Sequence, residues 1–165
     1  MIQLSISMSG TQEAMKEQQQ TTILLVEDDP GHALLIEKNL RRAGVVNEIV
    51  VLTDGGAAVE YLLPQAHGKE VPHARPYCVL LDLNMPVLDG YQVLKRIKGD
   101  ERTRHIPVVV LTTTDNPQEV ARCYGLGCNV YIAKPVEYDR FTDAVQKLGM
   151  FLSIVKVPGA ENDHG

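Results

Sequence analysis

Five short runs of β-favouring residues, TILLV, NEIVVL, YCVLL, PVVVLT and NVYIA, constrain this chain more than any other feature. Each is apolar throughout instead of alternating with polar residues, the pattern of strands covered on both faces. Each is followed by a segment with helical spacing. After the first, Ala33, Ile36, Leu40 and Ala43 share one face, with Glu37, Lys38, Arg41 and Arg42 mostly opposite. After the last, Phe141, Ala144, Val145, Leu148 and Leu152 do the same. Five βα units predict an α/β fold, a parallel sheet flanked by helices and connected by right-handed crossovers. A chain of 165 residues suits one such domain, with a core that needs no disulfide or structural metal.

The flanks differ in character. Residues 1–20 are rich in Ser, Gln, Thr and Glu, too polar to fold alone, and predict a disordered tail. The ordered unit is expected at 21–152, followed by a second, shorter tail at 153–165. PQAHGKEVPHARP, residues 64–76, holds three prolines and predicts an exposed loop before the third strand. With a net charge of -5 and no basic patch, the chain lacks the electrostatic footprint of a nucleic-acid binder. No apolar run is long enough to span a membrane, and MIQLSISMSG lacks the basic start of a secretory signal. Cys78, Cys123 and Cys128 form no CxxC pair, which predicts a reduced, cytoplasmic setting. Cys123 and Cys128 match no common zinc spacing and read as small semi-buried side chains.

The run YCVLL ends in an acid, Asp82, and an ionised Asp is almost never fully buried unless paired or bound to metal. In open parallel α/β sheets, ligands bind outside the carboxyl ends of the strands, where strand order reverses. The first strand ends in Glu27-Asp28-Asp29, the third in Asp82, the fourth in Thr112, and the fifth runs into Lys134-Pro135. The second ends in Leu52-Thr53-Asp54 and is expected at the sheet edge, away from this cluster. Converging carboxylates repel, so they need a cation or a proton. All-oxygen ligands suit magnesium, with manganese or calcium open on ligand type alone. A cation, an ammonium and a hydroxyl around one carboxylate can clamp the three equatorial oxygens of a phosphoryl group. Asp82 is then the nucleophile that forms an acyl phosphate. Asp89-Gly90 and Asp54-Gly55 read as helix caps, and Asp29 as a first-turn acid beside Pro30. Singly, Lys134 would be a surface lysine and Thr112 a strand residue; their joint placement at strand ends carries the reading.

ILLVEDDP, VLLDLNMPVLDG, VVVLTTTD and YIAKP resemble the four signature segments of the response-regulator receiver domain of two-component signalling. The likeness covers roughly residues 21–150, and the intervals from Asp82 to Thr112 (30) and from Thr112 to Lys134 (22) are the family's usual ones. It implies a flavodoxin-like (βα)5 doubly wound domain with strand order 2-1-3-4-5. By position, Asp82 resembles the phosphoacceptor and Asp28 a direct magnesium ligand, with Glu27 acting largely through water and the Asn84 backbone carbonyl completing the set. Lys134 resembles the lysine that pairs with phosphoryl oxygens, Thr112 the switch hydroxyl, and Tyr131 the aromatic that turns inward when the hydroxyl moves. Asn84 and Thr114 occupy positions that tune hydrolysis. The Lys134-Pro135 bond is often cis in the family. Two departures stand out: Glu at 27 where Asp is more usual, and at 113 a Thr larger than the common small residue, which narrows access to Asp82.

The loop at 64–76, with the LLDLN and VVVLTT wording, resembles the stand-alone regulators that pair with bacterial phytochromes. The resemblance implies a phosphorylation switch rather than an enzyme acting on other substrates, with a histidine kinase as partner, a phytochrome being one candidate. Its output would be a changed surface on the fourth helix, fifth strand and fifth helix. About a dozen residues beyond the fifth helix are too few for a DNA-binding module. MFLSIVKV, residues 150–157, suggests a homodimer contact or packing on the protein's own sheet edge. Three other readings compete. A receiver fold that binds partners without phosphorylation keeps the same residues. An aspartate-nucleophile phosphatase needs an acid two residues after the nucleophile, where Asn84 stands. A flavodoxin-like FMN binder needs a hydroxyl-rich phosphate loop where Glu27-Asp28-Asp29 stands.

Overall fold

The computed structural model describes residues 21–64 and 76–154. The tail at 1–20, nearly all of the 64–76 loop, and most of the 153–165 tail lie outside the described residues. The apolar runs form strands and the segments after them form helices, in strict alternation. In chain order these are β1 (Thr22–Val26), α1 (Pro30–Arg42), β2 (Ile49–Leu52), α2 (Gly55–Leu62), β3 (Tyr77–Leu81), α3 (Gly90–Gly99), β4 (Val108–Thr112), α4 (Pro117–Gly125), β5 (Val130–Ala133) and α5 (Tyr138–Ile154). The strands pair in parallel in the order β2-β1-β3-β4-β5. This is the doubly wound, flavodoxin-like (βα)5 arrangement.

The unbroken apolar runs are explained by two cores, one on each face of the sheet. Successive strand residues point to opposite faces. Leu24, Val26, Val79, Leu81, Val108 and Val110 pack on Ala58 and Leu62 of α2 and Val93, Leu94 and Ile97 of α3. Ile23, Leu25, Cys78, Leu80, Val109 and Leu111 pack on Ala33, Ile36 and Leu40 of α1 and Phe141, Val145 and Leu148 of α5. A polar residue at any of these central positions would forfeit about 1.5–3 kcal/mol of side-chain burial. Edge strands β2 and β5 are only partly buried. α4 has one buried residue, Cys123, and is the helix least embedded in either core.

Local capping sets the helix starts. Asp54 accepts from the Ala57 amide at 2.6 Å, and Asp89 forms a capping box with Gln92. Asp29 is also an N-cap, accepting from the His32 amide at 3.0 Å, one residue earlier than the first-turn place expected. Every peptide bond among the described residues is trans, so Lys134-Pro135 does not take the cis geometry frequent in the family it resembles.

Cys78, Cys123 and Cys128 are free and buried. Burial pushes the Cys78 thiol up to about 12 and the Cys123 thiol up to about 11, and raises Cys128 as well. A buried thiol held protonated is a poor nucleophile. A thiol-reactive chromogenic disulfide at pH 8 is therefore expected to label none of the three within minutes, and all three in denaturant. Rapid labelling of any one in native buffer would contradict the packing described.

Candidate functional site

Parallel pairing brings the carboxyl ends of β1, β3, β4 and β5 to one mouth, and β2 lies at the far edge as expected. The first residue beyond β1 is Glu27, beyond β3 Asp82, and beyond β5 Lys134, while Thr112 is the last residue of β4. All four are buried, at 1%, 8%, 6% and 0% exposure for Glu27, Asp82, Lys134 and Thr112 respectively. Burial at this level means that each charge needs a partner inside the protein.

The partner of both acids is the Lys134 ammonium. Its Nζ lies 2.6 Å from Glu27 Oε2 and 3.7 Å from Asp82 Oδ2. The backbone amide of Asp29 donates to Glu27 Oε1 at 3.2 Å, and that of Asn84 to Asp82 Oδ1 at 3.2 Å. Burial pushes the Glu27 carboxyl above its ordinary range, against the lowering influence of Lys134. One ammonium does not balance the acids present. Glu27, Asp28 and Asp82 each offer an oxygen, and these oxygens lie within 4.8 Å of one another. This is the one group of three or more His, Cys, Asp or Glu side chains placed to hold a metal among the described residues. Three hard oxygen donors with a surplus of negative charge fit a divalent cation such as Mg2+ or Mn2+.

Gly90 explains how closely the helix after β3 approaches the site. A Cβ there would collide with the Asp82 carbonyl oxygen and sit 2.6 Å from Leu83 Cα. Neither backbone atom can yield without moving Asp82. Gly90→Ala is expected to cost about 1–3 kcal/mol of stability through overpacking. A lowered urea midpoint checks this, and an unchanged midpoint would show that α3 can shift freely.

The remaining residues singled out from the sequence fall around the mouth. The Asn84 side chain is exposed, and its Nδ2 donates to Thr112 Oγ1 at 3.3 Å and to Thr113 Oγ1 at 3.2 Å. Thr113 is exposed, at the opening. The Tyr131 hydroxyl donates to the Thr114 carbonyl at 2.6 Å, and the ring packs against the core shared by α2, α3 and α4. Burial pushes its phenol up to about 12. The Tyr131 side chain is thus half-buried in this structure. The Tyr131 amide also donates to the Tyr124 hydroxyl at 3.2 Å, a contact from α4 that no sequence signal indicated. Met150 and Phe151 near the end of α5 are exposed, at 61% and 46%. No helix among the described residues is long and apolar enough to cross a membrane.

Known proteins are similar to this chain in sequence and fold. Response regulator Rcp1 of Synechocystis sp. is 38% identical over 138 residues, 83% of this chain and 92% of Rcp1. The Mn(2+)-bound crystal structure of Rcp1 superposes with a TM-score of 0.75 at 37% identity, covering 84% of this chain and 99% of that one. A response regulator receiver domain from Rhodospirillum rubrum gives a TM-score of 0.80 at 52% identity, covering 84% and 97%. The phosphorylated cyanobacterial phytochrome response regulator RcpA gives 0.74 at 36% identity, covering 84% and 98%. The acidic pocket is therefore of the kind in which receivers hold Mg2+ or Mn2+. The family model for the response regulator receiver domain matches residues 23–146, a span that contains every strand end at the mouth, and the chain belongs to that family.

Proposed function

We propose that this chain is a phosphorylation switch that accepts a phosphoryl group on Asp82 from a histidine kinase. The observation that carries the reading is the buried Lys134 ammonium shared between Glu27 and Asp82 beside the carboxylate cluster. An Asp82 oxygen attacks phosphorus, a P–O bond forms, the P–N bond to the kinase histidine breaks, and the imidazole leaves with a proton. Asp28, Asp82 and the Asn84 backbone carbonyl would hold the magnesium, with Glu27 acting through water. When bound, the ion offsets the charge of the acids and of the phosphoryl oxygens. Lys134 stays near Asp82 to pair with a phosphoryl oxygen, and the Thr112 hydroxyl donates to another.

Movement of Thr112 then alters the space beside Tyr131, whose hydroxyl is tied to Thr114, the residue whose carbonyl belongs to the β4–α4 connection. The α4–β5–α5 surface carries the signal. α4 is the helix most easily displaced, because so little of it is buried. A phytochrome kinase is the favoured donor, supported by the likeness to RcpA, which is described as a phytochrome response regulator. A second copy of the chain is the favoured partner for the Met150–Phe151 end of α5; light scattering giving monomer at all concentrations, phosphorylated or not, would remove that element. The setting is cytoplasmic, where the three buried thiols stay reduced.

Intact mass after incubation with acetyl phosphate tests the central claim. One added phosphoryl group with magnesium, and none with a chelator in excess, is expected. No adduct, under conditions that modify a control receiver, would favour a receiver fold that binds partners without being phosphorylated.

A further inference from the structure

We infer that Thr113 is a positioning residue whose hydroxyl holds the Asn84 amide across the mouth and so prolongs the life of the acyl phosphate. The inference rests on Asp82 being the phosphoacceptor. Asn84 is an exposed side chain, and such a side chain ordinarily samples several rotamers. Here its Nδ2 is shared between two hydroxyls, Thr112 Oγ1 at 3.3 Å and Thr113 Oγ1 at 3.2 Å. Its backbone amide is meanwhile fixed on Asp82 Oδ1 at 3.2 Å, so the residue spans from the phosphoacceptor to the end of β4.

The two threonines are not equivalent. Thr112 is fully buried at the end of β4, whereas Thr113 is exposed at the rim. When the Thr112 hydroxyl is drawn onto a phosphoryl oxygen, its hold on Asn84 loosens. Thr113 is then the anchor that remains. It keeps the amide over the phosphoryl group, in the path that an in-line water must take.

Hydrolysis forms a bond from the water oxygen to phosphorus and breaks the bond from phosphorus to Asp82. The carboxylate is regenerated, and inorganic phosphate and a proton are released. Asn84 held in place hinders the approach of that water. On this account the hydroxyl at 113 matters, not the bulk of the side chain.

The test compares Thr113→Val, which keeps the shape and loses the hydroxyl, with Thr113→Ser, which does the reverse. Position 113 is exposed, so both variants retain the fold, and thermal unfolding checks it. Proteins are phosphorylated with acetyl phosphate and magnesium, desalted, and followed by intact mass. Thr113→Val is expected to shorten the adduct lifetime roughly three- to tenfold, the range one hydrogen bond spans, and Thr113→Ser to preserve it. In an Asn84→Ala background Thr113→Val has no further effect. The Asn84 side-chain amide resonances shift in Thr113→Val and not in Thr113→Ser. A Thr113→Val lifetime equal to wild type overturns the inference, and so does equal shortening by both variants. Failure of the wild type to take up any phosphoryl group overturns the phosphoacceptor reading itself, and this inference with it.

Discussion

Asp82→Asn is expected to take up no phosphoryl group from acetyl phosphate under conditions that modify the wild type once. The substitution keeps the shape of the side chain and removes the nucleophilic oxygen charge. An amide does not displace a phosphoryl group at a useful rate, so the loss is complete and not graded. The fold is expected to survive. Asp82 is the more distant of the two acids on Lys134, at 3.7 Å, and the tighter pair with Glu27 at 2.6 Å is untouched. Removing one charge from the cluster also weakens magnesium binding, which titration of a native tyrosine signal can follow. An adduct of the same mass on Asp82→Asn would place the phosphoryl group elsewhere.

Lys134→Met is expected to have the second largest effect, in two separable readouts. Uptake from acetyl phosphate falls roughly 10²–10³-fold, the cost of removing one preorganised charge from a reacting centre. Stability without divalent ions falls by about 3 kcal/mol at neutral pH, because Glu27 is left as a buried carboxylate without its cation. That loss depends on pH. Burial already raises the Glu27 carboxyl, and Lys134 is what holds it back. Without Lys134 the folded-state value rises further above the unfolded one. A group so raised contributes stability that is fully present below its unfolded value and lost as pH rises through the folded one. The variant is therefore closest to wild type in mild acid and furthest from it at neutral pH. Magnesium restores part of the difference, since a cation that binds only the folded state stabilises it by mass action. Urea melts at acid and neutral pH, with and without magnesium, check all of this. A pH-independent loss that magnesium does not relieve would show that Lys134 serves packing alone.

Much of the fold was legible because its causes are local. An unbroken apolar run reports coverage on both faces wherever the strand ends up, and β1, β3 and β4 are buried throughout as their residues required. Asp54 and Asp89 announced their caps because the bond they make spans three residues. Glu27, Asp82, Thr112 and Lys134 were found because a parallel sheet brings strand ends together. Other features had no such signal. Tyr131 finds its hydroxyl partner, the Thr114 carbonyl, 17 residues away in sequence. Its tie to Tyr124, and the sharing of Asn84 between two hydroxyls, are side-chain choices among several that the backbone allows.

The order of apolar runs and helical segments by itself determined the class, since elements of that kind can bury their faces only in a layered α/β domain. It also supplied the four chemical groups at strand ends. The apolar pattern carries no information on which strand lies beside which; the motif resemblance implied the order 2-1-3-4-5, and the tertiary structure realises it and decides which side chains meet. Only with β3 next to β1, and β4 and β5 beyond it, does Lys134 meet Glu27 across 107 residues of sequence. Burial of that pair in a medium of low polarity turns ordinary surface residues into a charge cluster that needs a cation.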